Sequence, residues 1–253
     1  MREKRRDDIV KMVMQYKMVK VTELLKRYSV SNETIRRDLE YLEEQGFLER
    51  VHGGAIAKTM YQIEPEYTNR KIKNYEQKQA IAKSALAFVE DGDAIIVDVG
   101  TTTYELAKLL INQKKITVFT NSLKIATLLC VDSNIQTILL GGNVRKGEIS
   151  TSGFLAEEAL KHFYVDKLFL GIGGISIEPG ITDYHIEEAH LRQLYIAHAR
   201  KVIALADYSK FETKAMNYIC GIDEINTIIT DKKTNSHLLK EVRDKGCQVV
   251  IAN

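Results

Sequence analysis

Seven short apolar runs constrain this chain more than any other feature. They are AIIVDVG (94–100), KITVFT (115–120), IQTILLGG (135–142), VDKLFLGIGG (165–174), KVIALAD (201–207), INTIITD (225–231) and CQVVIAN (247–253). Each is nearly continuous in β-branched and other apolar residues, so neither face of the strand is expected to meet water. Amphipathic helical stretches lie between most of them: TTYELAKLLINQ, SLKIATLLC, FLAEEALKHFY, IEEAHLRQLYIAHAR and SHLLKEVRDKG. Strands buried on both faces and separated by helices predict an open, mostly parallel sheet of Rossmann-like α/β type, covered on both sides.

The first 57 residues have a different texture, dense in charge and helical in period. Ile9, Val13 and Tyr16 form one apolar stripe, Val21, Leu24, Leu25 and Tyr28 a second, and Ile35, Leu39 and Leu42 a third. Ser31 is placed to cap the third helix and Gly46 to end it. FLERVHGGAI (47–56) then reads as a strand, a Gly-Gly turn and a second short strand. Three helices and a hairpin predict a winged helix-turn-helix over residues 1–57. Residues 58–74 lack a clear period and hold one of the chain's two prolines, so they are expected to link it to a second domain over 75–253.

With 45% hydrophobic and 28% charged residues, disordered and fibrous classes are excluded. No apolar run approaches the ~18–20 residues that span a bilayer, and the N-terminus is periodic rather than continuously apolar. No membrane association is expected, and the protein is placed in the cytoplasm. Cys130, Cys220 and Cys247 are too widely spaced for a paired-cysteine zinc motif and are expected to be reduced core thiols. His185 and His190 lie about 140° apart on a helix, which argues against a shared metal. Neither a metal nor a cofactor is expected.

The net charge of +2 does not by itself point to a polyanion. Its distribution is more informative: residues 1–58 hold 13 Lys plus Arg against 10 Asp plus Glu, or +3, and the remainder is −1. With Ile35 facing inward, Arg37 points almost directly away, and Arg36 and Thr34 flank that outward face. An outward arginine near a helix N-terminus can reach a guanine edge or a phosphate. The same face also reads as ordinary solvated helix surface, since Glu33 and Glu40 sit at pairing distance along the helix. So modest a basic excess calls for a few well-placed contacts and a second copy of the module, hence a homo-oligomer.

Arg5, Ile9 and Val13, then Ser31, Thr34 and Ile35-Arg36-Arg37-Asp38-Leu39, resemble the helix-turn-helix signature of the DeoR family of bacterial transcription regulators. Arg50-Val51-His52-Gly53-Gly54-Ala55 resembles the same family's wing. The resemblance implies that Ser31, Asn32, Thr34, Arg36 and Arg37 dock on double-stranded operator DNA, with Arg50 and His52 touching it from the wing. Asp38 is expected to hold its neighbours rather than read bases.

In the second domain, Asp98-Val99-Gly100-Thr101-Thr102-Thr103 closes a strand and opens a helix, where backbone N–H groups and the helix dipole attract an anion. The segment is neither a Walker motif nor GxGxxG, so a small phosphate fits better than a nucleotide. Asn121, Gly142, Arg145 and Lys210 stand at other strand ends that a parallel sheet brings to one edge. Asp98, Asn121 and Asp207 suit hydroxyls, and Arg145 and Lys210 suit a phosphate. DVGTTT, TNS, GG and DYSKF together resemble the DeoR-type sensor domain, whose fold is similar to ribose-phosphate isomerases and coenzyme A transferases. The resemblance implies a repressor, dimeric or tetrameric, of a sugar or polyol utilisation operon, released from DNA by a phosphorylated sugar bound at Asp98, Gly100 to Thr103, Asn121, Gly142, Arg145 and Lys210. His185 and Glu188 are further candidates for effector choice. A sugar-phosphate isomerase or transferase with an appended helical domain is the competing expectation, weakened because no carboxylate stands in a recognisable catalytic motif.

Overall fold

The computed structural model describes residues 2–16, 18–44, 47–56 and 64–253. The chain divides into two compact units, Met1–Ile63 and Glu64–Asn253. Each has its own apolar core, and the helix end expected at Gly46 lies outside the described residues.

The first unit runs α1 (Arg2–Tyr16), β1 (Met18–Lys20), α2 (Val21–Tyr28), α3 (Asn32–Glu44), β2 (Glu49–Val51) and β3 (Gly54–Ile56). Ile9, Val13, Leu24, Ile35, Leu39, Leu42 and Leu48 are buried together, so the three helical stripes converge on one core. Tyr16 is the exception: 62% exposed in the last position of α1, it has run past the core that its spacing suggested it would enter. The hairpin is a three-stranded sheet in the order β1-β3-β2, because Val19 pairs with Ala55 and brings β1 alongside. A Cβ at Gly54 would lie 2.2 Å from the Val19 carbonyl oxygen, so only glycine lets these strands approach this closely.

The second unit begins inside the stretch expected as a linker, with residues 64–66, α4 (Tyr67–Ile72) and α5 (Tyr75–Leu86). There follow β4 (Ala94–Val97), α6 (Thr101–Leu110), β5 (Ile116–Thr120), α7 (Leu123–Leu129) and β6 (Ile135–Leu139). Next come a hairpin of β7 (Asn143–Arg145) and β8 (Ser150–Ser152), then α8 (Phe154–Leu160) and β9 (Val165–Gly171). The chain continues through β10 (Gly174–Ser176), β11 (Gly180–Asp183), α9 (Ile186–His198), β12 (Ala199–Leu205) and β13 (Asn217–Cys220). It ends with β14 (Thr227–Asp231), α10 (Ser236–Asp244) and β15 (Gln248–Ala252).

All seven apolar runs supply strands to one parallel sheet, ordered β15-β14-β12-β9-β4-β5-β6. Side chains alternate across it: Ile96, Leu168, Leu170 and Ala204 pack with α8, α9 and α10 on one face. Ile95, Val97, Phe169, Ile203 and Leu205 pack with α5, α6 and α7 on the other. Burial on both faces therefore explains the unbroken apolar runs. Cys220 and Cys247 are buried as expected, but Cys130 is exposed because it follows the last residue of α7 at the surface.

The strand order locates the site. From β4 the chain moves outward to β5 and β6, returns to lay β9 on the other side of β4, and then proceeds the other way. The crevice between the carboxyl ends of β4 and β9 is a topological switch point, where open α/β sheets bind ligands. Two smaller elements flank the main sheet, the β7-β8 hairpin and the antiparallel sheet β10-β11-β13.

Candidate functional site

In the first unit, Ser31 caps α3, its hydroxyl accepting from the Thr34 N–H at 3.3 Å and sharing a 2.9 Å hydrogen bond with the Thr34 hydroxyl. Asn32, Arg36 and Arg37 are exposed on the same helix. Both arginines pair with Glu33, Arg36 Nε at 3.0 Å and Arg37 Nε at 2.9 Å, while their side chains stay 58% and 68% exposed. The two guanidiniums hold the Glu33 carboxyl down to about 2. Arg50 is anchored rather than free: its N–H and Nε donate to the Glu43 carboxylate at 2.9 and 2.7 Å, fixing the wing to the end of α3. His52 is exposed in the turn between β2 and β3. Asp38 is buried and accepts from Arg5 Nε at 2.6 Å and Arg6 Nε at 2.8 Å, tying α1 to α3, so it positions its neighbours.

In the second unit, a cavity opens at the switch point between Val99-Gly100-Thr101-Thr102 after β4 and Gly171-Ile172-Gly173 after β9. The N-terminus of α6 faces it, with no side chain capping its first amides, and such amides lack partners within the helix. Lys210 also lines the cavity. Burial, reinforced by nearby Arg70, lowers its pKa, and among the described residues its ammonium makes no hydrogen bond or ion pair. Asp207 presents Lys210 by capping the short turn Tyr208–Lys210, its carboxylate accepting from the Ser209 N–H at 3.0 Å.

A buried network of charge surrounds these groups. Arg192, on the inward face of α9, donates from Nε to Asp98 at 2.7 Å and pairs through Nη1 with Asp183 at 2.9 Å, with Glu188 at 3.8 Å. Burial pushes the Asp98 carboxyl up to about 6 against the pull of Arg192. Glu188 accepts from the Ser150 hydroxyl at 2.7 Å and from Arg145 at 2.8 Å. Arg70 pairs with Glu64 at 3.0 Å and with Glu148 at closer range, and Arg145 also holds Glu64.

Of the effector residues expected from sequence, the cavity wall includes Gly100, Thr101, Thr102 and Lys210. Asp98 lies beneath it, bonded to Arg192 and to the Gly171 N–H at 3.1 Å. Thr103 turns back to the Gly100 carbonyl. Asn121 is a brace, its amide oxygen accepting from the Val99 N–H at 3.2 Å and its Nδ2 donating to the Thr151 carbonyl at 3.1 Å. Gly142 is required by backbone geometry: φ is +122° and a Cβ would meet the Ser152 carbonyl oxygen at 2.4 Å. Arg145 stands just outside, occupied by carboxylates. Arg70, Glu64, Glu148, Asp183, Tyr184 and Arg192 also line the cavity and were not expected, whereas Glu188 was. Arg192 does leave a sequence signal, a cation three residues from buried Ala189 and Tyr195 on one helix face. His185 merely precedes α9, and His190 is exposed against Glu157.

A three-helix unit with exposed arginines on a capped helix, followed by an α/β unit with a polar cavity at its switch point, defines a ligand-responsive DNA-binding regulator. Residues 5–60 match the model of the DeoR-like helix-turn-helix domain, and residues 73–232 match that of the DeoR C-terminal sensor domain. The HTH-type transcriptional regulator GolR of Listeria innocua is 35% identical over 98% of this chain and 98% of its own. The glycerol-3-phosphate regulon repressor of Escherichia coli is 30% identical over 97% of each chain. The chain belongs to the DeoR family, and it is a transcriptional regulator rather than an enzyme. Among solved structures, a ribose 5-phosphate isomerase from Methanocaldococcus jannaschii is similar at 18% identity and TM-score 0.42 over 55% of each chain, a likeness of fold alone. No helix among the described residues is long and apolar enough to cross a membrane.

Proposed function

We propose that this protein is a repressor of a sugar or polyol utilisation operon, working in the cytoplasm as a dimer or tetramer and released from its operator by a phosphorylated sugar. DNA reading is assigned to residues 1–57, with Arg36 and Arg37 at base edges or phosphates, Ser31, Asn32 and Thr34 positioning α3, and Arg50 and His52 carrying the wing. Sensing is assigned to residues 75–253, and residues 64–74 join it because Arg70 lines the same cavity.

The observation that carries the reading is Lys210, a cation without an ion-pair partner among the described residues, in a cavity with the uncapped start of α6. Two fixed sources of positive potential and the hydroxyls of Thr101 and Thr102 suit a phosphate, and the surrounding carboxylates suit sugar hydroxyls. The name of the glycerol-3-phosphate regulon repressor supports an effector of this class.

Fluorescence anisotropy of the full chain on the DNA upstream of its own gene, titrated with a panel of sugar phosphates, tests the reading. One member should release the DNA. Lys210→Ala should bind the DNA normally and not respond. Release by that mutant at the wild-type concentration would remove Lys210 from the site.

A further inference from the structure

The cavity has an unfavourable charge balance for an incoming anion. Arg70, Arg192 and Lys210 line it together with Glu64, Glu148, Asp183 and Glu188, one more carboxylate than cations. Arg192 is committed to the buried acids beneath it, and Arg70 already holds two carboxylates. A phosphate dianion entering this wall is repelled unless one resident carboxylate gives way.

Glu64 is the resident that can leave. Glu188 is bonded to Ser150 and Arg145 and rides on α9, and Asp183 is built into β11. Glu148 is the more deeply buried partner of Arg70, its side chain 6% exposed against 15% for Glu64. Glu64 belongs to no helix or strand, and among the described residues its only hydrogen bonds and ion pairs are those its carboxylate makes with Arg70 and Arg145. Burial raises its pKa, so its charge gains hydration on leaving.

We propose that the Glu64 carboxylate is a built-in competitor for the effector: the effector's phosphate replaces it on Arg70, and as Arg70 turns to the phosphate it also gives up the Pro65 carbonyl, to which its Nε donates at 2.9 Å, so that residues 64–66, which lead back along the chain to the N-terminal unit, are set free. The exchange trades one anion for another, so an unphosphorylated sugar has no charge with which to replace the carboxylate on Arg70. It also gives ligand occupancy a physical route out of the sensor, since the displaced anion belongs to the segment joining the units. The inference rests on reading the cavity as the effector's anion site.

Calorimetric titration of inorganic phosphate into the full-length wild type, Glu64→Gln, Glu64→Ala and each Glu64 variant combined with Lys210→Ala tests it, with circular dichroism checking the fold. The Glu64 variants should bind phosphate about tenfold tighter or better, and adding Lys210→Ala should cancel the gain. Hydrogen exchange at the Arg70 amide, which donates to the Glu66 carbonyl at 2.9 Å, should speed up when phosphate is added to wild type. Equal phosphate affinity in wild type and the Glu64 variants, or exchange at Arg70 that phosphate leaves unchanged, overturns the competitor while leaving the anion site standing. Phosphate binding that is absent from every variant, or indifferent to Lys210, overturns the anion site and the competitor with it. Should Glu64→Ala misfold, the nearly isosteric Glu64→Gln still decides the matter.

Discussion

Arginine serves two opposite purposes in the two units. On α3, Arg36 and Arg37 share one exposed glutamate and remain mostly in water. Around the cavity, Arg192 is almost fully buried among Asp98, Asp183 and Glu188. An exposed pair is worth little because water and salt replace either partner readily. A buried pair repays a large desolvation cost, and removing one partner strands the other. The first arrangement lets its arginines exchange partners cheaply, and the second is a fixed framework around the cavity.

The sharpest way to break this comparison is Arg192→Ala, which leaves buried Asp98 and Asp183 without their cation while Glu188 keeps Arg145. Chemical denaturation should show the second unit losing about 3–5 kcal/mol and the first losing nothing. The first unit's own buried acid is the next test: Asp38→Ala should cost it about 2–3 kcal/mol, less than Arg192→Ala because Arg5 and Arg6 can turn to water. Arg37→Ala should leave both units as stable as before and weaken operator binding roughly five- to hundredfold, read by anisotropy. An unchanged affinity would return Arg37 to the solvated surface.

A subtler contrast lies in pH. The folded protein holds Asp98 at about 6, against about 4 for an unfolded aspartate. The folded state therefore binds this proton more tightly. Its contribution to stability is present below about pH 4 and lost as pH rises through about 6. Denaturation midpoints between pH 4 and 7 should fall for wild type relative to Asp98→Asn; parallel profiles would show that Asp98 does not titrate there. The smallest effect is expected from Glu33→Gln, which frees Arg36 and Arg37 and should raise affinity for operator and unrelated DNA alike by about two- to threefold.

The same contrast explains what could be read before the structure. Helical spacing put Arg37 outward and Glu33 within its reach, because partners four residues apart are local facts. The seven strands were equally legible, since burial on both faces leaves an unbroken apolar run. The cavity was not, because Glu64, Arg70, Glu148, Asp183 and Arg192 come from distant segments brought together by the strand order, which no local pattern states. Residues at strand ends are also ambiguous: Lys210 faces the cavity, while Asn121 and Gly142 hold the loops that shape it. Three-residue strands such as β1 escape notice for a related reason, since Val19 finds its partner Ala55 across the whole unit.

The order of the units along the chain has a consequence for synthesis. The helix-turn-helix unit lies entirely within the first 63 residues, whereas the cavity has its last charged wall residue only at Lys210. A ribosome therefore finishes the helix-turn-helix domain long before the sensor domain. Premature termination anywhere between would leave the helix-turn-helix unit without a complete sensor domain.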